Sequence, residues 1–472
     1  MNGYTLNDFF NQINTGDYAI LTLNLQSNGS QVASLQQELQ NYKDNNQLDE
    51  LIEQKVTTPH KKRRWARFNI MILSFLKYCR DLDPWSLSSS CDLIMDFYTN
   101  LTNCLLDESY NLEPLLPLFL EQTELIIPMG RKLDESYMEL GTRENQFLSY
   151  LSSVISKLFN SIKPSHSDDV NQNKPMKISG KQKILLFLVN KLNNLYFRIN
   201  SPQLCSNIFK NFPLKSSTKQ FSQFNFKEQL EYRFLLGKYY MINGRVSDAW
   251  TQFNTSFAQL ILIGQTNRQS DQWSRNVQRV LRFLVPLGIV AGKCPQFDGR
   301  YAEYLQRLKI NYPELIQAVT TGNMFAVHGW LQRNESLLRR DHLLLLLLEK
   351  LPIVVFRFLI KRLLTNVIDV EQGNRIPYSL VLRGLQYSVR IEASDADPVT
   401  IYNGIHHPDT VESAENVLVT LINLGFLRAN CFPQMKLCVF QKNTPVKEVM
   451  PRVDQRISLQ FPLNQDDSWL SS

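Results

Sequence analysis

The sequence predicts a mainly α protein, a right-handed helical-repeat solenoid of tetratricopeptide (TPR) type that ends in a winged helix. Three observations carry this. Apolar residues recur every three or four positions along most of the chain. The stretch YRFLLGKYYMINGRVSDAWTQFNTSF sets Leu236, Gly237, Tyr240, Ala249 and Phe253 at the offsets of a TPR-type helical hairpin. After Leu351 the pattern changes to helix, short strand, helix, helix and a two-stranded hairpin, the element order of a winged helix.

Residues 1–161 read as an N-terminal helical region. LQQELQNYKD, DELIEQKV, NIMILSFLKYCRDL, CDLIMDFYTNLTNCLL and ENQFLSYLSSVISKLFNSI all carry the helical period. Pro84 and a serine cluster break the chain between the third and fourth. Residues 162–182, with two prolines, one glycine and mostly polar side chains, read as an exposed loop. Residues 183–345 form the expected solenoid. Small residues at 237 and 249 let two antiparallel helices approach, and Tyr240 and Phe253 fill the space between them. One such hairpin cannot bury its own apolar face, so neighbours must stack on it. RNVQRVLRFLVPLGIVAGKC and PELIQAVTTGNMFAVHGWLQRN, each read as a helix pair, supply them.

Residues 346–460 form the expected winged helix. PIVVFRFLIKRLL is its amphipathic helix. A short strand at Arg375–Ile376 precedes a helix that Pro377 opens at its first position. EASDADPV is an acidic loop, and DTVESAENVLVTLINLGFL is a helix stopped by Gly425. Residues 461–472 read as a tail.

The hairpin LRANCFPQMKLCVF holds two cysteines. With Pro433–Lys436 as the turn, strand alternation sets Cys431 opposite Cys438, on one face with Ala429 and Phe440. Both then read as small core residues. A zinc site needs two more ligands, and the adjacent His406 and His407 lack ligand spacing. No glycine-rich phosphate loop, HExxH or GxSxG is present, and the aspartates at 81, 83, 395 and 397 fall in polar loops. His328, in a helical pattern beside Trp330, reads as a satisfied interface histidine. The sequence therefore predicts neither an enzyme nor a metal or cofactor site.

Seven scattered cysteines fit reduced thiols. The N-terminus lacks a signal-peptide pattern. No run approaches the roughly 20 apolar residues of a membrane span. An intracellular, soluble protein is expected. The net charge of +7 is concentrated in places, most densely at Lys61, Lys62, Arg63, Arg64 and Arg67. That run reads either as an import signal or phosphate-binding patch, or as the solvated start of a helix.

A stack of helical hairpins running into a winged helix resembles the PCI-domain proteins of the proteasome lid, the COP9 signalosome and translation initiation complexes. DLDPWSLSSSCDLIMDFY, TRENQFLSYLSSVISKLFNSIKP, GKQKILLFLVNKLNNLYFRINSPQLCSNIFKNF and IYNGIHHPDTVESAENVLVTLINLGFLRANCFPQMKLCVF resemble the fungal PCI subunits of TREX-2 more closely. That complex couples transcription to mRNA export at nuclear pores. The resemblance implies a scaffold in the nucleus, without catalysis or cofactor. Its winged helix pairs with that of a large PCI-like scaffold subunit. A small acidic subunit shared with the proteasome lid binds along that partner.

The resemblance further implies that the paired winged helices bind RNA and DNA without strong sequence preference. Residues 417–456 hold Arg428, Lys436, Lys442, Lys447, Arg452 and Arg456 against Glu448 and Asp454. Arg428, Lys436, Lys442 and Lys447 are the expected phosphate contacts. Phe432, Leu437 and Val439 fall on the hairpin face opposite Cys431, an apolar strip expected to meet the partner subunit. The alternative reading is a PCI subunit associated with the COP9 signalosome, which shares the architecture.

Overall fold

A computed structural model describes residues 4–42, 44–56, 66–107, 113–139, 144–164, 180–218, 220–266, 271–299, 302–308, 310–371, 373–389, 402, 408–463, 467, 469 and 470. The basic run Lys61–Arg64, most of the polar segment 162–182, the acidic stretch 392–398, His406 and His407 lie outside them. The chain divides into two compact units, Met1–Gln229 and Leu230–Ser471, and this boundary falls within the residues assigned above to the solenoid. The described residues are mainly helical, with one three-stranded sheet.

In the first unit, helices Leu25–Leu39, Asn45–Lys55, Ala66–Asp81, Leu87–Leu105 and Gln146–Ser161 overlap the five periodic segments. Phe75 on the third of these is fully buried, its ring stacked on Phe9 at 6.0 Å and tilted against Phe97 at 5.3 Å. Thr5 and Asp8 form a capping box that starts the first helix, Leu6–Thr15. Periodicity did not single out Leu116–Glu139, a 24-residue helix that runs through Pro128. This helix caps another one. Asn145 precedes Gln146–Ser161 in a left-handed conformation without a side-chain cap, and Asp134 instead accepts the N–H groups of Phe147 and Leu148 at 2.9 and 3.0 Å. At the described ends of the polar segment Ile162, Lys181 and Gln182 are buried and Lys163 is exposed, and the Gln182 amide donates to the carbonyls of Lys163 and Lys215.

The second unit begins within the first helix of the hairpin Phe226–Ile242 and Val246–Thr266. Its close approach is visible at Gly237, where an added Cβ would sit 3.1 Å from the ring of Phe253. Ala249, Tyr240 and Phe253 are all buried there. Phe253 has no room to retreat, since it stacks on Phe283 at 5.3 Å and meets Phe234 edge-on at 5.7 Å. RNVQRVLRFLVPLGIVAGKC, expected as a helix pair, belongs to one helix, Asp271–Val290, that continues through Pro286. A proline leaves the carbonyl four residues earlier without its helical donor. Here the Tyr312 hydroxyl donates to that carbonyl of Arg282 at 3.4 Å. The other expected pair is present as Tyr312–Thr321 and Met324–Arg333, turning at Gly322 with φ +73°. His328, in the second of these helices, is fully buried.

Helix Leu344–Glu371, 28 residues long and continuous through Pro352, is the spine of this unit. The Gly322 turn presses on it, with an added Cβ only 2.8 Å from Leu359 Cα. Strand β1 (Arg375–Pro377) follows, then helices Tyr378–Val389 and Val411–Asn423, then β2 (Ala429–Phe432) and β3 (Leu437–Phe440). Pro377 is the last residue of β1 rather than the first of the helix. Gly425, with φ +69°, lets Phe426 N–H return to the Leu421 carbonyl and close the helix end. The sheet is antiparallel in the order β1-β3-β2. Ser388 Oγ donates to the Gly322 carbonyl and accepts the Met324 N–H, fastening helix Tyr378–Val389 to the Gly322 turn.

Gly237→Val should cost about 1–3 kcal/mol, because the branched side chain overfills a site whose neighbour is held on both faces. Urea denaturation of the parent and the variant measures it.

Candidate functional site

The β2–β3 hairpin is built as alternation demands. Cys431 pairs with Cys438 and Ala429 with Phe440, while Phe432 pairs with Leu437 and Asn430 with Val439. Tyr378 N–H donates to the Lys436 carbonyl and Phe440 N–H to the Asn374 carbonyl. The even positions of β3 therefore bond to β1, which leaves Cys431 and Cys438 a non-hydrogen-bonded pair with closely approaching side chains. Cys438 and Phe440 are buried, and Cys431 is half-buried.

The other face is the apolar strip. Phe432 is 43% exposed, and Leu437 and Val439 are half-buried. β1 extends the strip, because Pro377 pairs with Leu437 and Arg375 with Val439, both at exposed positions. Met435, in the 3₁₀ turn Pro433–Met435 between the strands, is 71% exposed. The sequence had not picked out Pro377, Arg375 or Met435 as part of this surface. Strand pairing across some sixty residues brings the first two there.

Arg428, Lys436, Lys442 and Lys447 are all exposed. They do not form one cluster. Lys436 caps the hairpin turn with φ +50° and sits in the field of Glu412, helping to lower that carboxyl's pKa after Glu412's own backbone N–H and Thr410. Arg428 and Lys442 flank the opposite end of the strands, about 13 Å away for four residues at roughly 3.3 Å each. Arg428 N–H donates to the Val449 carbonyl at 2.8 Å, which ties it to the short helix Val446–Val449 carrying Lys447. Lys361 on the spine helix joins this end. Burial, then the charges of Arg357 and Lys447, lower its pKa. Its 86-residue separation from Lys447 hid it from any local reading of charge. Arg452 is engaged elsewhere, in an ion pair with Asp454 at 2.8 Å.

The buried thiol of the pair is held protonated. Burial, with Cys431 beside it, pushes the Cys438 thiol from near 9 up to about 12. Among the described residues no three His, Cys, Asp or Glu side chains come together as a metal site, and no helix is long and apolar enough to cross a membrane.

Nuclear mRNA export protein THP1 of Saccharomyces cerevisiae is 45% identical to this chain over 467 residues, covering 98% of this chain and 99% of that protein. This chain belongs to the THP1 family. THP1-family membership here extends over both structural units, since the match is nearly end to end. More distant similarity runs to proteins named for the PCI domain. A PCI domain-containing protein 2 homolog of Dictyostelium discoideum is 26% identical over 242 residues, 49% of this chain and 50% of its own. A PCI domain-containing protein of Schizosaccharomyces pombe is 21% identical over 388 residues, 79% of this chain and 78% of its own. A scan against protein-family models finds no match.

The raised thiol has a pH signature. Cys438 stays protonated in the fold to about 12, whereas in the unfolded chain it ionises near 9. Between those values the unfolded state binds fewer protons, so stability present below about 9 is lost as pH rises, by at most about 1.4 kcal/mol per unit for this group. Urea titrations at pH 8, 9 and 10 should show a steeper loss for the parent than for Cys438→Ala.

Proposed function

We propose that this chain is a non-catalytic PCI-type scaffold in nuclear mRNA export, the TREX-2 role that its sequence resemblance implies. The observation that carries the reading is the 45% identity over nearly the whole length to a nuclear mRNA export protein. In this reading residues 183–345 are a right-handed solenoid of helical hairpins and residues 346–460 a winged helix with β2–β3 as its wing. The wing packs on a large PCI-like scaffold subunit, and a small acidic subunit shared with the proteasome lid binds along that partner. The assembly works at the nuclear pore and holds RNA or DNA.

The two faces of the hairpin support a division of labour. Phe432, Leu437 and Val439, extended by Pro377, make an apolar strip at the edge of a small sheet. Such a strip at solvent favours burial against a partner. Arg428, Lys442 and Lys447 at the hairpin base, with Lys361 beside them, and Lys436 at its tip give cationic ends to that strip. Long, exposed cations of this kind contact phosphates through charge rather than base edges, which makes binding tolerant of sequence and sensitive to salt.

Phe432→Asp with Val439→Asp should abolish co-purification of the scaffold subunit, since charging a buried interface core costs roughly 2 kcal/mol or more. Retention of the partner by this variant would place the interface elsewhere. Signalosome subunits in the parent's purified complex, in place of export factors, would overturn the wider reading.

Lys436→Glu with Lys442→Glu should leave the complex assembled, because both side chains are exposed. Binding of single- and double-stranded probes should weaken together, and the slope of log affinity against log salt should flatten by about 2. An unchanged slope across a salt titration would remove the wing from the nucleic-acid surface.

A further inference from the structure

Three described residues of the segment read as a tail dock on the body of the chain. Asp467, Trp469 and Leu470 lie on the first helix of the Phe226–Ile242/Val246–Thr266 hairpin, more than two hundred positions earlier in the chain. Arg233 donates to the Leu470 carbonyl at 2.5 Å, and the Leu470 side chain is buried. Tyr240 Oη donates to Asp467 Oδ2 at 2.5 Å. Trp469 meets the Tyr232 ring at 6.3 Å with the planes at 67°.

The receiving side is held in place without the segment. The Arg233 guanidinium also donates to Gln252 Oε1 at 3.0 Å across the hairpin. Tyr240 is covered by the Arg245 guanidinium at 4.1 Å from its ring centroid, and Arg245 is itself paired with Asp248 at 2.7 Å. Arg233 and Tyr240 are therefore positioned by the hairpin's own contacts, the condition under which a short ligand loses least on binding. The chemistry is selective. The Tyr240 hydroxyl holds a carboxylate, the buried Arg233 guanidinium holds a backbone carbonyl, the edge of Tyr232 receives an indole, and the leucine is buried. Burial of Arg233 favours the carboxylate further, because Asp467 is an acidic group whose charge acts on it.

We propose that this hairpin face is a receptor for a linear peptide of the pattern Asp-x-Trp-Leu, and that the segment Asp467–Leu470 is its ligand, bound in cis and able to bind as a separate molecule. The site is distinct from the wing and its cations, and the proposal does not depend on the function proposed above.

The test uses the full chain carrying Asp467→Lys and Leu470→Asp, and a fluorescent peptide of the sequence QDDSWLSS (residues 465–472). The peptide should bind this variant saturably and bind the parent, whose site is filled, at least about tenfold more weakly. Replacing the aspartate equivalent to Asp467 by asparagine in the peptide should weaken binding about tenfold, the range of one charge-assisted hydrogen bond. If the double substitution unfolds the chain, the peptide added in trans must restore its helical circular dichroism. Absence of binding to a folded variant overturns the proposal. So does equal binding to variant and parent, equal binding of the asparagine or a scrambled peptide, or failure to restore an unfolded variant.

Discussion

A single buried guanidinium organises the C-terminal half of this protein. Arg357 lies in the middle of the 28-residue helix Leu344–Glu371 and donates through Nη2 to the carbonyls of Met450 and Pro451 at 3.1 and 2.7 Å. Burial pulls its pKa down, with Asp454 acting in the opposite direction. A charge taken out of water must find such partners or unfold its surroundings. The segment after the β2–β3 hairpin is accordingly fixed in register against the helix, one residue past Val449, whose carbonyl holds Arg428. The same helix receives the Gly322 turn at Leu359 and the close approach of Gly384 at Leu363. The Gly322 turn, the helix carrying Gly384 and the segment after the hairpin all rest on one spine.

That dependence explains what could and could not be read from the chain. Hairpin register was legible because a period of two leaves only one pairing that buries Cys438 and Phe440 together. The Gly237–Phe253 approach was legible because a small residue opposite a large one is a local signature. One expected helix pair is a single helix: Pro286 sits inside Asp271–Val290, and the carbonyl it frees is satisfied by Tyr312, a donor from elsewhere in the fold. Pro128 and Pro352 are likewise interior. The Asp134 cap, the Lys361 cation and the docking of Asp467–Leu470 share one cause. Each is a contact between residues distant in sequence whose pairing has no periodicity to announce it.

The site residues divide along the same line. Arg428, Lys436, Lys442 and Lys447 were identifiable as a sequence cluster, and their exposure follows from their loop and strand-end positions. Their separation into a tip and a base did not follow from the cluster. It comes from the length of two four-residue strands and from the link between Arg428 and Val449. Electrostatically the two ends differ: the tip cation has a carboxylate for company, whereas the base cations have one another.

The β2–β3 turn carries a tension within one residue. Lys436 occupies the left-handed region, where an L-residue with a side chain costs about 1 kcal/mol that glycine avoids. A glycine at this position would relax the backbone and at the same stroke delete the outermost positive charge of the hairpin. Thermodynamic optimisation of the turn and retention of its charge thus pull in opposite directions. A stabilised version of this protein reached by backbone relaxation alone would be a less cationic one.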